Sequence, residues 1–154
     1  GLAIIKNQFP LVKSFRDCTE NQLEKRRDEL GEILFKRCHF VVNEIRRVNE
    51  AVAALDKNDF EKLGQLMYET HDGLSKEYEV SCEEIDFLVA SVRHEKSVLG
   101  ARMMGGGFGG CSLNLVEKGT EEALITKISE AYLKEFGLTL SAYKVKISKG
   151  TTNV

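Results

Sequence analysis

The sequence predicts an α+β fold. Three observations carry that prediction. Apolar residues at three/four spacing, punctuated by capping residues, fill the part from about residue 17 to 95. Period-two patterning appears only from about residue 97 to 148. Inside that second part, Gly100 to Gly110 holds six of the chain's thirteen glycines. Helices therefore come first, and a strand–glycine loop–strand–helix–strand unit comes last.

Each element has a local reason. Thr19, followed by Glu20 and Gln22, is an N-cap for a short helix ending near Leu30. Leu34, Cys38, Val41, Val42, Ile45, Val48, Val52 and Leu55 keep helical spacing, which predicts a long helix from about Glu32 to Leu55. Asn58 and Glu61 resemble a capping box for a helix that carries Phe60, Leu63, Met67 and Leu74 and ends near Ser75. Ser81-Cys82-Glu83-Glu84 is a second capping box, opening a helix with Ile85, Leu88, Val89 and Val92 inward. Val98 to Met104 and Cys111 to Glu117 read as strands. Thr120, with Glu121 and Glu122 in the first turn, opens a helix to Phe136, with Gly137 as its C-cap. Thr139 to Ile147 alternates, placing Tyr143, Val145 and Ile147 on one face of a last strand.

The segment Gly105, Gly106, Gly107, Phe108, Gly109, Gly110 is the leading candidate site. Glycine lowers stability unless the backbone takes positive φ or admits another group closely. A plain hairpin turn needs two glycines; five favour bare amides facing a ligand, and phosphate is the usual partner of such N–H rows. The segment satisfies G-x-G-x-x-G, but Cys111 to Val116 reads as a strand where a dinucleotide site needs a helix. It lacks the Gly-Lys-Ser/Thr end of a Walker loop. A kinase-type loop between two strands fits the context, yet Val-Ala-Ile-Lys, His-Arg-Asp and Asp-Phe-Gly are missing.

Composition narrows the class. The chain has 154 residues, 42% hydrophobic and 30% charged, with a net charge of −2. No basic stripe points to nucleic acid or membrane. Cys18, Cys38, Cys82 and Cys111 have no zinc spacing and read as reduced thiols of a cytoplasmic protein, with no metal site. No apolar run is long enough to cross a bilayer.

The segment Gly100-Ala-Arg-Met-Met-Gly-Gly-Gly-Phe-Gly-Gly-Cys-Ser-Leu-Asn-Leu-Val116 resembles the third motif of the GHMP small-molecule kinases. Arg102-Met103 and Phe108 resemble the galactokinase version. Lys13-Ser14-Phe15-Arg16-Asp17 is similar to Lys-Ser-Leu-Arg-Asp, and Arg37-Cys38-His39-Phe40-Val41 loosely to Arg-Ala-Arg-His-Val. Met67-Tyr68-Glu69-Thr70-His71 and Tyr78-Glu79-Val80-Ser81-Cys82 are similar to Met-x-x-Ser-His and Tyr-Glu-Val-Ser-Cys. The likeness runs from about Lys13 to Ser148. It implies a ferredoxin-like C-terminal domain over residues 1–154, with an antiparallel sheet packed on the extra helices. It also implies ATP and galactose as substrates, with Mg²⁺ and the catalytic Asp held by an N-terminal domain that has no counterpart here. No catalytic residue is assigned within this chain, and the chain alone is expected to be inactive.

Neighbours of the loop have plainer readings. Arg102 is a candidate phosphate cation, but pairing with a nearby carboxylate ranks ahead. Met104 stands where Thr is common, so no hydroxyl contact is assigned. Cys111 lacks an identifiable base, so a buried thiol under the loop ranks ahead of a nucleophile. His39 and His71 read as structural helix-face residues and His94 as exposed. Asp17 reads as a solvated cap. Three other functions stay open: a GHMP kinase for another sugar, a non-catalytic galactokinase-like sensor, and a free-standing regulatory module.

Overall fold

A computed structural model describes residues 1–145. Its elements run α1 (Leu2–Gln8), a 3-10 turn (Phe15–Asp17), α2 (Glu20–Glu24), α3 (Arg27–Asp56), α4 (Phe60–Lys76) and α5 (Glu83–Val92). Then come β1 (Val98–Met104), β2 (Cys111–Val116) and α6 (Glu121–Phe136). Helices precede the hairpin, as the α+β pattern requires.

The N-terminal helix α1 was not expected. Its one buried residue, Ile5, is fully enclosed with Val12, Leu23, Leu30, Phe35 and Cys38. Thr19 caps α2 as expected, accepting from the Gln22 N–H while the Gln22 side chain accepts from the Thr19 N–H. Gly31 breaks the start of α3 at φ 68°, after which the helix continues to Asp56. That matches the expected Glu32–Leu55 helix within a residue.

Two caps differ from expectation. Asp59, not Asn58, caps α4 by accepting from the Lys62 N–H at 3.0 Å; Asn58 sits at φ 55° in the turn before it. Cys82, not Ser81, occupies the N-cap of α5, and the Ser81 hydroxyl donates instead to Asp86 at 2.5 Å. Aspartate and asparagine compete for adjacent cap positions with nearly equal strength, so local chemistry could not choose the frame. At α6, Thr120 is the N-cap residue, but its hydroxyl donates to the Glu117 carbonyl and caps nothing. Gly137 ends that helix in the left-handed region, as expected.

The hairpin β1–β2 is antiparallel, with Arg102 opposite Leu113 and Met104 opposite Cys111. One face supplies Ala101 and Met103 to a core shared with Ile85, Leu88, Val89 and Val92 of α5 and Leu124 and Ile128 of α6. Each such large apolar side chain contributes about 1.5–3 kcal/mol through burial. Helix α4 runs hard against β1. A Cβ on Gly64 would lie 1.9 Å from the Leu99 carbonyl oxygen, so only a bare α-carbon permits the approach.

The last strand is a correction. Residues 139–145 form no strand, and Tyr143 and Val145 are exposed; Ile147 lies outside the described residues. Alternation marks two faces, but a strand forms only where a neighbour pairs its N–H and C=O groups. Among the described residues the sheet has two strands. No described helix is long and apolar enough to cross a membrane.

Candidate functional site

Gly105 to Gly110 form the tip of the β1–β2 hairpin. Positive φ occurs at Gly105, Gly107, Gly109 and Gly110, and also at Phe108, at 59°. A phenylalanine held there costs on the order of 1–3 kcal/mol. Its ring is 78% exposed, so burial does not offset that cost. A backbone bond does: the Phe108 N–H donates to the Val80 carbonyl at 2.7 Å. Val80 belongs to the connection between α4 and α5, so the loop is pinned to a second segment. Gly107 makes that contact possible. A Cβ there would lie 2.5 Å from the Val80 oxygen and 2.8 Å from the Val80 Cβ.

The remaining amides are differently placed. Among the described residues, none accepts a hydrogen bond from the N–H groups of Gly106, Gly107 or Gly109. The loop thus spends one amide on anchoring and leaves others free, in a short exposed arch. Such a row suits an anion with several acceptor oxygens.

Two networks hold the Tyr78–Cys82 segment. From α3, the Arg37 guanidinium donates to the Tyr78 carbonyl and to Glu79, and Lys36 donates to Glu79 at 3.1 Å. From α5, Asp86 accepts from Ser81 at 2.5 Å and from Ser75 at 2.7 Å. Asp86 also lies 3.3 Å from His71 Nε2, and His71 Nδ1 accepts from the Met103 N–H at 3.3 Å. These contacts fix the His71 tautomer, with the proton on Nε2. Burial pushes its pKa below the usual histidine value, against the pull of Asp86 and Asp72, so the ring is neutral. The structural reading of His71 therefore holds.

The expected neighbours of the loop fall out as follows. Arg102 donates through Nε to the Met103 carbonyl, and its guanidinium reaches within 3.9 Å of Glu44 on α3. It lines a groove with Glu44 and Thr70, as the pairing reading requires. Met104 is exposed beside the loop. Cys111 is exposed, not buried. Its side chain leaves the hairpin on the face opposite the Ala101–Met103 core, so no packing covers it; this corrects the expected thiol under the loop. His94 is exposed. Asp17 accepts from the N–H and hydroxyl of Ser14 and from the Lys13 N–H, and those bonds hold its carboxyl below the usual range.

Sequence reasoning missed Val80, Ser81 and Asp86 as partners of the loop. The Tyr78–Cys82 similarity was the available signal, but Ser81 was read as a cap.

The family profile described as GHMP kinases C terminal matches residues 51–134. The chain belongs to the GHMP kinase C-terminal family. This GHMP kinase domain is similar to the galactokinase of Thermotoga petrophila, 42% identical over 142 residues, which are 92% of this chain and 39% of that protein. It is 44% identical to the galactokinase of Glaesserella parasuis over 148 residues, 93% of this chain and 38% of that one. Its structure resembles that of Lactococcus lactis galactokinase complexed with galactose, with a TM-score of 0.81 and 30% identity, over 89% of this chain and 36% of the other. The domain thus spans about two-fifths of the length of these curated relatives.

Among the described residues, no group of three or more His, Cys, Asp or Glu side chains could hold a metal ion.

Proposed function

We propose that this chain is the C-terminal domain of a cytoplasmic galactokinase, which moves the γ-phosphoryl group of ATP to the anomeric hydroxyl of D-galactose. The observation that carries the reading is the hairpin tip: the amides of Gly106, Gly107 and Gly109 have no acceptor among the described residues, on an arch anchored by the Phe108 amide. Phosphoryl transfer spreads charge over the equatorial oxygens of the moving group, and catalysis rests on positioning and preorganised donors. The amides of Gly106, Gly107 and Gly109 supply such donors, while the Phe108 amide keeps the arch in place. Met104 and Cys111 flank the arch without a chemical role. Arg102 is engaged with Met103 and Glu44, so its contribution is to hold β1.

The base that receives the hydroxyl proton, the sugar contacts and the Mg²⁺ ligands come from an N-terminal domain of the whole protein. That domain is the direct partner of this one. The test compares galactose phosphorylation by the whole protein with that by the 154-residue chain alone. The whole protein is expected to turn over galactose in preference to N-acetylgalactosamine and arabinose, and the chain alone to be inactive. Turnover by the chain alone would refute the division of labour; turnover of another sugar only would refute the substrate.

A further inference from the structure

The glycine loop is held from two directions, and both supports meet at one carboxylate. At the loop's middle, Phe108 is bonded to the Val80 carbonyl at 2.7 Å. The next residue, Ser81, donates its hydroxyl to Asp86 Oδ1 at 2.5 Å. At the loop's root, the Met103 N–H donates to His71 Nδ1 at 3.3 Å, and the other nitrogen of that ring faces the same Asp86 Oδ1 at 3.3 Å. The second oxygen, Oδ2, accepts from Ser75 on α4 at 2.7 Å. Asp86 itself rides on the first turn of α5, whose Ile85, Leu88, Val89 and Val92 are buried in the core. A rigid helix therefore carries a carboxylate that ties α4, the α4–α5 connection and the end of β1 together.

We propose that Asp86 is a positioning residue that sets the height of the glycine loop, acting on Val80 through Ser81 and on Met103 through His71. The proposal rests on the phosphate-loop reading only for its consequence in catalysis. The Ser81 and Ser75 hydroxyls donate to the two oxygens of Asp86 and fix its direction, and the His71 ring lies 3.3 Å from Oδ1. The α3 contacts from Arg37 and Lys36 reach Tyr78 and Glu79 but do not reach β1. Asp86 touches the supports of both ends, Ser81 beside Val80 and His71 beside Met103. A donor site held to within about 0.5 Å of its working position needs support of this kind. Replacing the carboxylate with an amide of the same shape removes an acceptor oxygen and puts an N–H₂ donor in its place.

Amide hydrogen exchange followed by NMR on the 154-residue chain tests this, with Asp86→Asn and Ser81→Ala beside the unaltered chain. The Phe108 amide is expected to exchange about tenfold faster in both variants, while Val89 and Val92 in α5 keep their rates. Unchanged Phe108 exchange in both variants overturns the proposal. Equal acceleration of Phe108, Val89 and Val92 in both also overturns it, because that is global loosening. Ser81→Ala leaves the His71–Asp86 contact in place, so it stays informative if Asp86→Asn fails to fold. In the whole protein, Ser81→Ala is expected to lower kcat about tenfold with KM for ATP within about twofold. Faster Phe108 exchange with unchanged kcat supports the anchorage and removes the phosphate reading, so the two failures are distinguishable.

Discussion

Replacing Gly107 with alanine is the sharpest perturbation of the loop. The new Cβ would sit 2.5 Å from the Val80 carbonyl oxygen and 2.8 Å from the Val80 Cβ, distances that real contacts do not sustain. The backbone there is at φ 96°, where a side chain costs about 1–2 kcal/mol. Relief requires the loop to lift from Val80, which breaks the 2.7 Å Phe108–Val80 bond. That bond, with a net value of about 0.5–1.5 kcal/mol, opposes lifting in both chains alike. The shift toward the lifted loop is set by the strain on the docked state, about 1–2 kcal/mol from the backbone, or roughly five- to thirtyfold, and the contact with Val80 acts in the same direction. Gly106→Ala is the matched control: its φ lies outside the left-handed region and nothing lies within 4 Å of the added carbon. It should change loop protection by less than about 0.5 kcal/mol. The readout is exchange of the Phe108 amide, with the urea midpoint as a check on global stability. In the whole protein, Gly107→Ala should lose phosphoryl transfer through loop displacement, and Gly106→Ala through a methyl group in the space a phosphate would occupy. A Phe108 amide as protected in Gly107→Ala as in the unaltered chain would refute the docking of the loop on Val80.

Gly64→Ala places a Cβ 1.9 Å from the Leu99 oxygen, so α4 must back away from β1; overpacking of this kind should lower stability by about 1–3 kcal/mol, read as a shift in the urea midpoint without a change in slope. The two buried or half-buried histidines should leave opposite marks on stability against pH. Burial opposes the charged form of His39, but its two ring nitrogens lie 3.0 Å from Glu77 and 3.1 Å from Glu20, and these carboxylates raise its pKa overall. Its stabilisation is therefore full below the ordinary histidine value and is lost as pH rises through the higher folded value; the midpoint difference between the unaltered chain and His39→Gln should shrink as pH rises. His71 has a lowered pKa because it is buried, so stability is lost as pH falls from the ordinary value toward the folded one. The difference between the unaltered chain and His71→Gln should shrink on acidification, and a parallel trend for both variants would contradict the opposite signs.

Much of the fold was legible because its signals are local. Val98–Met104 was delimited to the residue, with the glycines that follow it marking its end. The long helix ended within a residue of expectation because its apolar stripe stops at Leu55, before Lys57 and Asn58. Gly137 was read as a C-cap because few residues other than glycine take φ 68° cheaply. Misses have a shared cause. The first helix has only seven residues, below the length at which propensity sustains a helix alone, and the enclosure of Ile5 by distant parts of the chain forms it. The expected last strand has the right alternation but no pairing neighbour along residues 139–145 among the described residues. The exposed Cys111 follows from hairpin sidedness, which glycine adjacency does not encode.

Taken alone, the order of residues determined where the backbone turns, where it is regular, and that Gly105 to Gly110 has the freedom to present bare amides. Those properties depend on φ/ψ sterics and on spacing within a few residues. Tertiary structure decided which amide anchors the loop, which stay open, and which side chains hold the anchor. The Phe108–Val80 bond, the Met103–His71 bond and the His71–Asp86 contact join residues that are far apart along the chain. Hydrogen bonds act over about 3 Å, and only packing brings such residues within that reach.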